Sequence, residues 1–295
     1  MKKARALSAI FLITQTFFLY GQGFPGGQGA QSGNNDPFSV MDKAIDDAEK
    51  TLTPEEEYYL GRAVAANILT VYKPYTQNPA LTRYLNNICQ TLVINSPIPS
   101  AVYNGYQVMI LDSQEFNGFA TPGGHIFVTR GLIEAVSSED ALAAIIAHEL
   151  AHIMLKHGIT MINSMKVTED LGSTAQRSAA IAGGDASRSV LAFRNSIGEL
   201  MDIMLKNGYS QAQEFEADNT AIVLLAAAGY DPQGLPEVLK VLQNAQRTHQ
   251  GGFFSTHPAP SQRIANVEQL TTRIRTPNTT QPARRPRFSR NLGRR

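Results

Sequence analysis

The stretch from Ser137 to His152 constrains the fold more than any other part of the sequence. Ser137 and Asp140 have the spacing of a helix start, and Ala141–Ala147 is almost entirely apolar. Ionisable side chains follow directly, in Ala147-His148-Glu149-Leu150-Ala151-His152. The pattern predicts a buried helix that carries two histidines and a glutamate into the protein interior, where unpartnered polar groups are costly.

The HExxH spacing of these residues indicates a metal site. Positions four apart on a helix lie about 40° from each other, so His148 and His152 face the same way and can present two nitrogens to one Zn²⁺. Glu149 lies beside them, where it can reach a water on the metal. A bound metal would also relieve the cost of burying these groups, which argues against a chance match.

A catalytic zinc ion usually has three protein ligands and a water, so a third ligand is needed. A metzincin would have glycine at 155 and histidine at 158, whereas this chain has Leu155 and Gly158. His157 lies nine residues after His148, about 180° around a continuous helix. We therefore expect a structural or exposed role for His157.

A second acidic pattern, Gln213-Glu214-Phe215-Glu216-Ala217-Asp218, opens another apolar helix. Glu214 and Asp218 share one face of this helix, and Glu216 is expected to point away into solvent. We predict that Glu214 is the third metal ligand and that Asp218 accepts a hydrogen bond from a ligand histidine. Two acids one turn apart also occur on ordinary solvated helices, but the HExxH motif favours the ligand role.

Together these motifs resemble the gluzincin zinc metallopeptidases of the HtpX and CAAX prenyl protease family, peptidase family M48. The resemblance runs from about Thr53 to Gln269 and is strongest to soluble periplasmic members of the BepA type, although no helical-repeat domain is expected after the catalytic region. The segments that carry it are 116–124, 148–157, 214–218 and His257-Pro258 with Arg263. It implies one zinc ion per chain, held by His148, His152 and Glu214, with Glu149 as the catalytic residue.

His257 and Arg263 belong to a later part of the chain. His257 could stabilise a developing oxyanion or occupy the open coordination position of zinc in a resting state, and a structural helix-cap role stays open. Arg263 is expected to position this loop through a charge-assisted hydrogen bond.

Residues 119–127 could offer an exposed strand edge to an extended peptide, with an ordinary hairpin as the alternative. The predicted substrate edge consists of Asn117, Ala120, Pro122, Gly123 and Gly124.

The remaining pattern predicts an α+β fold that is mostly helical. Thr53-Pro54-Glu55-Glu56 is typical of a capped helix start, and another helix is expected from Pro79 to Val93. Residues 106–111 and 125–129 are rich in β-forming side chains and are expected to be adjacent strands. The expected core is a zincin (gluzincin) core in which the HExxH helix packs on this small sheet.

The chain divides by composition into four segments. Residues 1–21 have a basic start and an apolar stretch, which indicates an export signal and hence a periplasmic or cell-envelope location; cleavage and retention as an anchor are both open. Residues 22–50 are expected to be a flexible linker, 51–272 the metallopeptidase domain, and 273–295 a disordered arginine-rich tail. The tail could instead contact anionic lipid headgroups at the membrane periphery.

Charge and cysteine content narrow the classes of function further. All 25 acidic residues but only 15 of the 26 basic residues lie between 22 and 272, which disfavours a nucleic-acid-binding core. The single cysteine, Cys89, excludes an intramolecular disulfide. We therefore predict a zinc-dependent endopeptidase of the bacterial envelope that takes part in protein quality control, with unfolded or misassembled envelope proteins as substrates. The alternative is a zinc-containing, chaperone-like or scaffolding protein with little proteolysis.

Overall fold

The computed structural model describes residues 52–99, 102–164, 208–245, 257, 260–272, 274 and 281–293. The predicted signal (1–21) and linker (22–50) lie outside these residues. Within them the helices are α1 (Pro54–Val71), α2 (Pro79–Ile94), α3 (Arg130–Ala135), α4 (Glu139–Met154), α5 (His157–Ser164), α6 (Gln211–Ala227), α7 (Gly234–Ala245), α8 (Pro260–Thr271) and α9 (Gln281–Leu292), and the strands are β1 (Gln107–Leu111), β2 (Gly118–Thr121) and β3 (His125–Thr129). The predicted α+β, mostly helical fold is confirmed.

Local sequence signals set the beginnings of the first two helices. Thr53 and Glu56 form the predicted capping box, in which each side chain accepts a hydrogen bond from the other residue's backbone N–H. In α2 the Asn78 side chain accepts from the Leu81 N–H, and Pro79 occupies the first turn.

The sheet has the strand order β1-β3-β2. The two predicted strands, β1 and β3, are neighbours and run parallel, with Val108 opposite Ile126. The short strand β2 pairs antiparallel to β3 through a hairpin, with Phe119 opposite Phe127. Side chains alternate between the two faces, so Ile126 and Val128 join the main core whereas Phe127 joins a smaller cluster against α1.

Helix α4 occupies the centre of the main core. Every residue from Glu139 to Ile153 is buried, and α4 packs against α2, α6, α7 and β2. The side chain of Ser138 caps the helix by accepting from the Ala141 N–H. The HExxH helix therefore packs on the small sheet as predicted, and its side chains are held rigidly from all sides.

Helix α9 differs from the disordered tail expected from residue 273. Arg284 pairs with Asp140, and Arg287 pairs with Glu139, in the first turn of α4. Glu139 also accepts a hydrogen bond of 2.6 Å from the Tyr84 hydroxyl. Both acids are buried, and the two arginines offset the free-energy cost of their desolvation. These ion pairs stabilise a helix in a segment of poor helix propensity, and the local sequence does not reveal them.

The membrane tether suggested for this segment stays a prediction, and among the described residues of α9 it would rest on the exposed side chains Arg285 and Arg290. In the part of the chain that the structure describes, no helix combines the length and the apolar character that a membrane span requires.

Candidate metal centre

Helix α4 brings three ionisable side chains to one buried point. His148, Glu149 and His152 are each 3% exposed or less. The Nε2 atoms of the two histidines lie 3.1 Å apart, so both rings aim at a common position. The residues on either side of them in α4 are mostly apolar and buried, so the three side chains lie in the protein interior.

Helix α6 supplies a carboxylate from the opposite side. A capping box between Ser210 and Gln213 starts the helix immediately before Glu214, whose side chain is fully buried. The Glu214 Oε2 atom lies 3.5 Å from His148 Nε2, and its Oε1 atom lies 3.4 Å from His152 Nε2. One turn later, Asp218 Oδ1 lies 3.1 Å from His148 Nδ1, on the side of the ring away from the cluster.

His257 joins the same cluster from the segment between α7 and α8. Its Nδ1 atom lies 2.7 Å from Glu214 Oε1, and its Nε2 atom lies 3.9 Å from Glu149 Oε1. One donor atom from each of His148, His152, Glu214 and His257 lies within 4.8 Å of the others.

These donors fit a zinc ion. Ligand atoms bonded at about 2.0–2.1 Å in a tetrahedron are about 3.3 Å from one another, close to the spacing among His148, His152 and Glu214. Two imidazoles and a carboxylate are a donor set that zinc accepts in catalytic sites. Beside them the Glu149 Oε2 atom is buried and has no hydrogen-bond partner within the described part of the chain, so a polar group at the centre would satisfy it.

A model of peptidase family M48 matches residues 79–271, more than half of the chain. The chain belongs to peptidase family M48. The match includes every member of the cluster, so the family resemblance seen in the motifs is confirmed.

Several curated M48 relatives can be compared along the sequence. The chain is 27% identical over 242 residues to a putative beta-barrel assembly-enhancing protease of Vibrio cholerae. This alignment covers 80% of this chain and 48% of the relative. It is 25% identical over 205 residues to the beta-barrel assembly-enhancing protease of Escherichia coli, which covers 68% of this chain and 41% of the relative. It is 30% identical over 155 residues to the E. coli metalloprotease LoiP, covering 52% of this chain and 58% of that protein. The chain thus spans less than half the length of the first two relatives.

Arg263 on α8 neutralises the acidic side of this M48 site. Its side chain is 2% exposed and makes a two-pronged contact with Asp218, at 2.8 Å from Nε and 2.6 Å from Nη2. Its Nη1 atom lies 2.6 Å from Glu214 Oε2. Arg263 therefore holds both α6 carboxylates directly, which is a larger role than the expected positioning of the His257 loop.

The pKa values of Glu149 and Glu214 shift in opposite directions. Burial raises the pKa of Glu149, although His257 and His148 oppose the shift. Burial also disfavours the charged form of Glu214, but the charges on His257 and Arg263 prevail and hold the pKa of Glu214 well below its usual value. Burial and Arg263 act to lower the pKa of His148, yet its hydrogen bonds to Asp218 and Glu214 prevail and raise the pKa to about 9.

His157 and Tyr209, which the sequence did not place in the site, contact the His152 ring, and Glu216 contacts His157. His157 is buried, and its Nδ1 atom lies 2.9 Å from His152 Nδ1. Its Nε2 atom lies 3.2 Å from Oε2 of Glu216. Glu216 is 64% exposed, in agreement with its expected solvent-facing position, and it also contacts this ring. Tyr209 stacks on the His152 ring, with centroids 3.9 Å apart and planes 15° apart.

The placement of His157 results from a sharp turn after α4. The helix ends at Met154, and Lys156 adopts a positive φ of 55°. A continuous helix would have carried His157 to the opposite side, whereas the left-handed residue reverses the chain and brings the ring back to His152. Lys156 is neither glycine nor asparagine, so the sequence gives little indication of this turn.

The predicted substrate edge falls into two groups in the structure. Ala120 lies in β2 and Asn117 directly precedes this strand, whose four residues are all buried. Between them, a side chain at Gly118 would begin only 2.7 Å from Glu149 Oε1. Gly123 and Gly124 are instead buried in the hairpin turn, where Gly123 packs against the α1 backbone at Tyr58. These two glycines permit positive φ and close backbone approach, and the segment is not an exposed edge as expected.

Proposed function

We propose that this chain is a zinc-dependent endopeptidase that hydrolyses peptide bonds in unfolded or misassembled proteins of the bacterial cell envelope. The observation that carries the proposal is the convergence of His148 Nε2, His152 Nε2 and the Glu214 carboxylate beside Glu149. Family M48 membership supports the same reaction.

In this proposal each residue of the HExxH and ExxxD motifs has a definite role. His148, His152 and Glu214 would hold one zinc ion, which supplies Lewis acidity that polarises a carbonyl and lowers the pKa of water. Glu149 accepts a proton from the attacking water and delivers it to the leaving amine. Asp218 orients His148, and Arg263 keeps both α6 carboxylates in place.

We propose that the outer edge of β2, whose four residues are buried, is the site that pairs with an extended substrate. Asn117 accepts a hydrogen bond from the Thr129 N–H, so the alternation of an antiparallel pair turns the backbone groups of Gly118 and Ala120 away from β3. A peptide pairing with Ala120 would lie within reach of Glu149, which touches the neighbouring Gly118. Pro122 marks the end of this edge.

The envelope location and the substrate class rest on the relatives and on the predicted signal. Two of the relatives carry the name beta-barrel assembly-enhancing protease, and residues 1–21 have the composition of an export signal.

The proposal predicts that the purified protein binds one zinc ion per chain and cleaves casein. Removal of zinc with a chelator is expected to abolish cleavage, and added zinc is expected to restore it, because the Glu149 carboxylate alone cannot activate both water and carbonyl. Metal analysis and fragment release measure the two properties separately. Stoichiometric zinc without cleavage would favour the chaperone-like or scaffolding alternative, and absence of zinc binding would refute the proposal.

His257 is expected to be a fourth donor in a resting form of this site. This role is supported by the 2.7 Å distance between His257 Nδ1 and Glu214 Oε1. We expect His257→Ala to weaken zinc binding severalfold and to raise basal casein cleavage, since the open coordination position is then left to water. A lower kcat with unchanged zinc affinity would favour the oxyanion role, and no change in either would leave a structural role.

A further inference from the structure

The contact between His152 and His157 has a consequence for zinc binding if, as proposed above, His152 is a metal ligand. His152 directs Nε2 to the cluster and Nδ1 away from it. Among the residues that the structure describes, the Nδ1 atom of His157 is the one that meets His152 Nδ1, at 2.9 Å. His157 in turn directs Nε2 towards Glu216. The three side chains form one continuous row from the protein surface to the cluster.

Hydrogen-bonding chemistry assigns a proton to each link of this row. A carboxylate only accepts, so Glu216 requires a proton on His157 Nε2. A neutral imidazole carries one proton, so His157 Nδ1 is then an acceptor and requires the proton of His152 on Nδ1. This arrangement leaves the lone pair of His152 Nε2 free at the position where a metal ligand needs it.

The other histidine of the motif is held by a shorter version of the same arrangement. His148 Nδ1 faces Asp218 directly, at 3.1 Å, and its Nε2 atom faces the cluster. Each histidine of the HExxH motif therefore has an acceptor behind it, a carboxylate for His148 and a second imidazole for His152.

We propose that His157 and Glu216 are positioning residues that fix the tautomer and ring orientation of His152 for zinc binding. The surrounding structure holds the row in place. Tyr209 covers one face of the His152 ring, and the turn that delivers His157 is tied to α1 by the 2.6 Å ion pair between Lys156 and Glu57. Such partners of ligand histidines typically change metal affinity about 10–100-fold.

The test compares two isosteric replacements of His157. In His157→Asn the Oδ1 atom replaces Nδ1 and still accepts a hydrogen bond from His152. Leucine has the shape of asparagine but no acceptor atom, so His157→Leu removes this hydrogen bond. We expect His157→Leu to weaken zinc binding about 10–100-fold, measured against a competing chelator, and His157→Asn to lose several times less. The absorption spectrum of bound Co²⁺ should change in His157→Leu and resemble the wild type in His157→Asn, a difference that loss of packing alone would not produce.

A second pair keeps the test decisive if His157→Leu does not fold without metal. Glu216 is 64% exposed, so Glu216→Leu removes the acceptor with little effect on packing, while Glu216→Gln retains one. Glu216→Leu is expected to weaken zinc binding more than Glu216→Gln, but less than His157→Leu, because water can partly replace an exposed carboxylate.

Each failure identifies the hypothesis that is at fault. A wild-type protein without stoichiometric zinc would contradict the proposed function itself. Normal zinc affinity in wild type, His157→Leu and Glu216→Leu alike would leave the proposed function intact and overturn the positioning role.

Discussion

Replacing Glu149 by glutamine is expected to lower kcat/KM for casein by about 10²–10⁴-fold while one zinc ion per chain remains bound. Glutamine has the same shape as glutamate but cannot accept and release a proton, which is the contribution that general acid–base catalysis makes. Glu149 is not among the residues whose donor atoms cluster with the two HExxH histidines, so the metal should stay. Metal analysis and cleavage rates on the same preparation measure both quantities.

A matched control for this substitution is Glu55→Gln. Glu55 is an exposed residue in the first turn of α1, so the same chemical change there should alter neither zinc content nor rate. Retention of full activity in Glu149→Gln would contradict the role assigned to Glu149. Loss of zinc in that variant would mean that Glu149 is part of the metal-binding set.

Replacing Arg263 by methionine is expected to reduce the free energy of unfolding by about 3–5 kcal/mol when zinc is removed. Methionine fills the volume of the aliphatic stem but leaves the buried carboxylates of Glu214 and Asp218 without their cation. Added zinc should recover part of the loss, because the metal supplies positive charge next to Glu214. Urea unfolding with chelator and with zinc measures both effects.

Lys240→Met provides the comparison. Lys240 and Glu268 form an ion pair with the same 2.6 Å separation, but both side chains are about half exposed, and exposed pairs contribute roughly 0–1 kcal/mol. Equal losses in the two variants would show that burial of the Arg263 pair is not what makes it important. A loss in Arg263→Met that zinc does not reduce would argue against a shared electrostatic site.

The parts of the fold and site that could be predicted from sequence are those that local spacing determines. The HExxH spacing places His148 and His152 on one helix face, and the capping box at Thr53 begins α1, because both depend on contacts within a single turn. Glu214 and Asp218 could be paired by the same periodicity, and the structure places them around His148. Their roles as ligand and orienting group stay predictions.

The features that could not be predicted depend on contacts between distant segments. Lys156 takes a left-handed conformation without the glycine that usually marks it, and the place of His157 follows from that single residue. Helix α9 contains Pro286 and four arginines, a composition typical of a disordered tail. Contacts with distant segments stabilise this helix, namely the buried acids at the start of α4 and the main core that encloses Phe288. No pattern within 281–292 identifies those partners.

The order of the site residues along the chain has a consequence for biosynthesis. The two histidines of the HExxH motif precede Glu214, His257 and Arg263 in the chain. The two acids that begin α4 form ion pairs with residues that come later still, Arg284 and Arg287. During synthesis the HExxH segment leaves the ribosome well before the residues that complete and neutralise its surroundings. The site and its charge pairs therefore cannot be complete until Arg287 has been released, and a chain cut short before that residue leaves the buried acids of α4 without their cations.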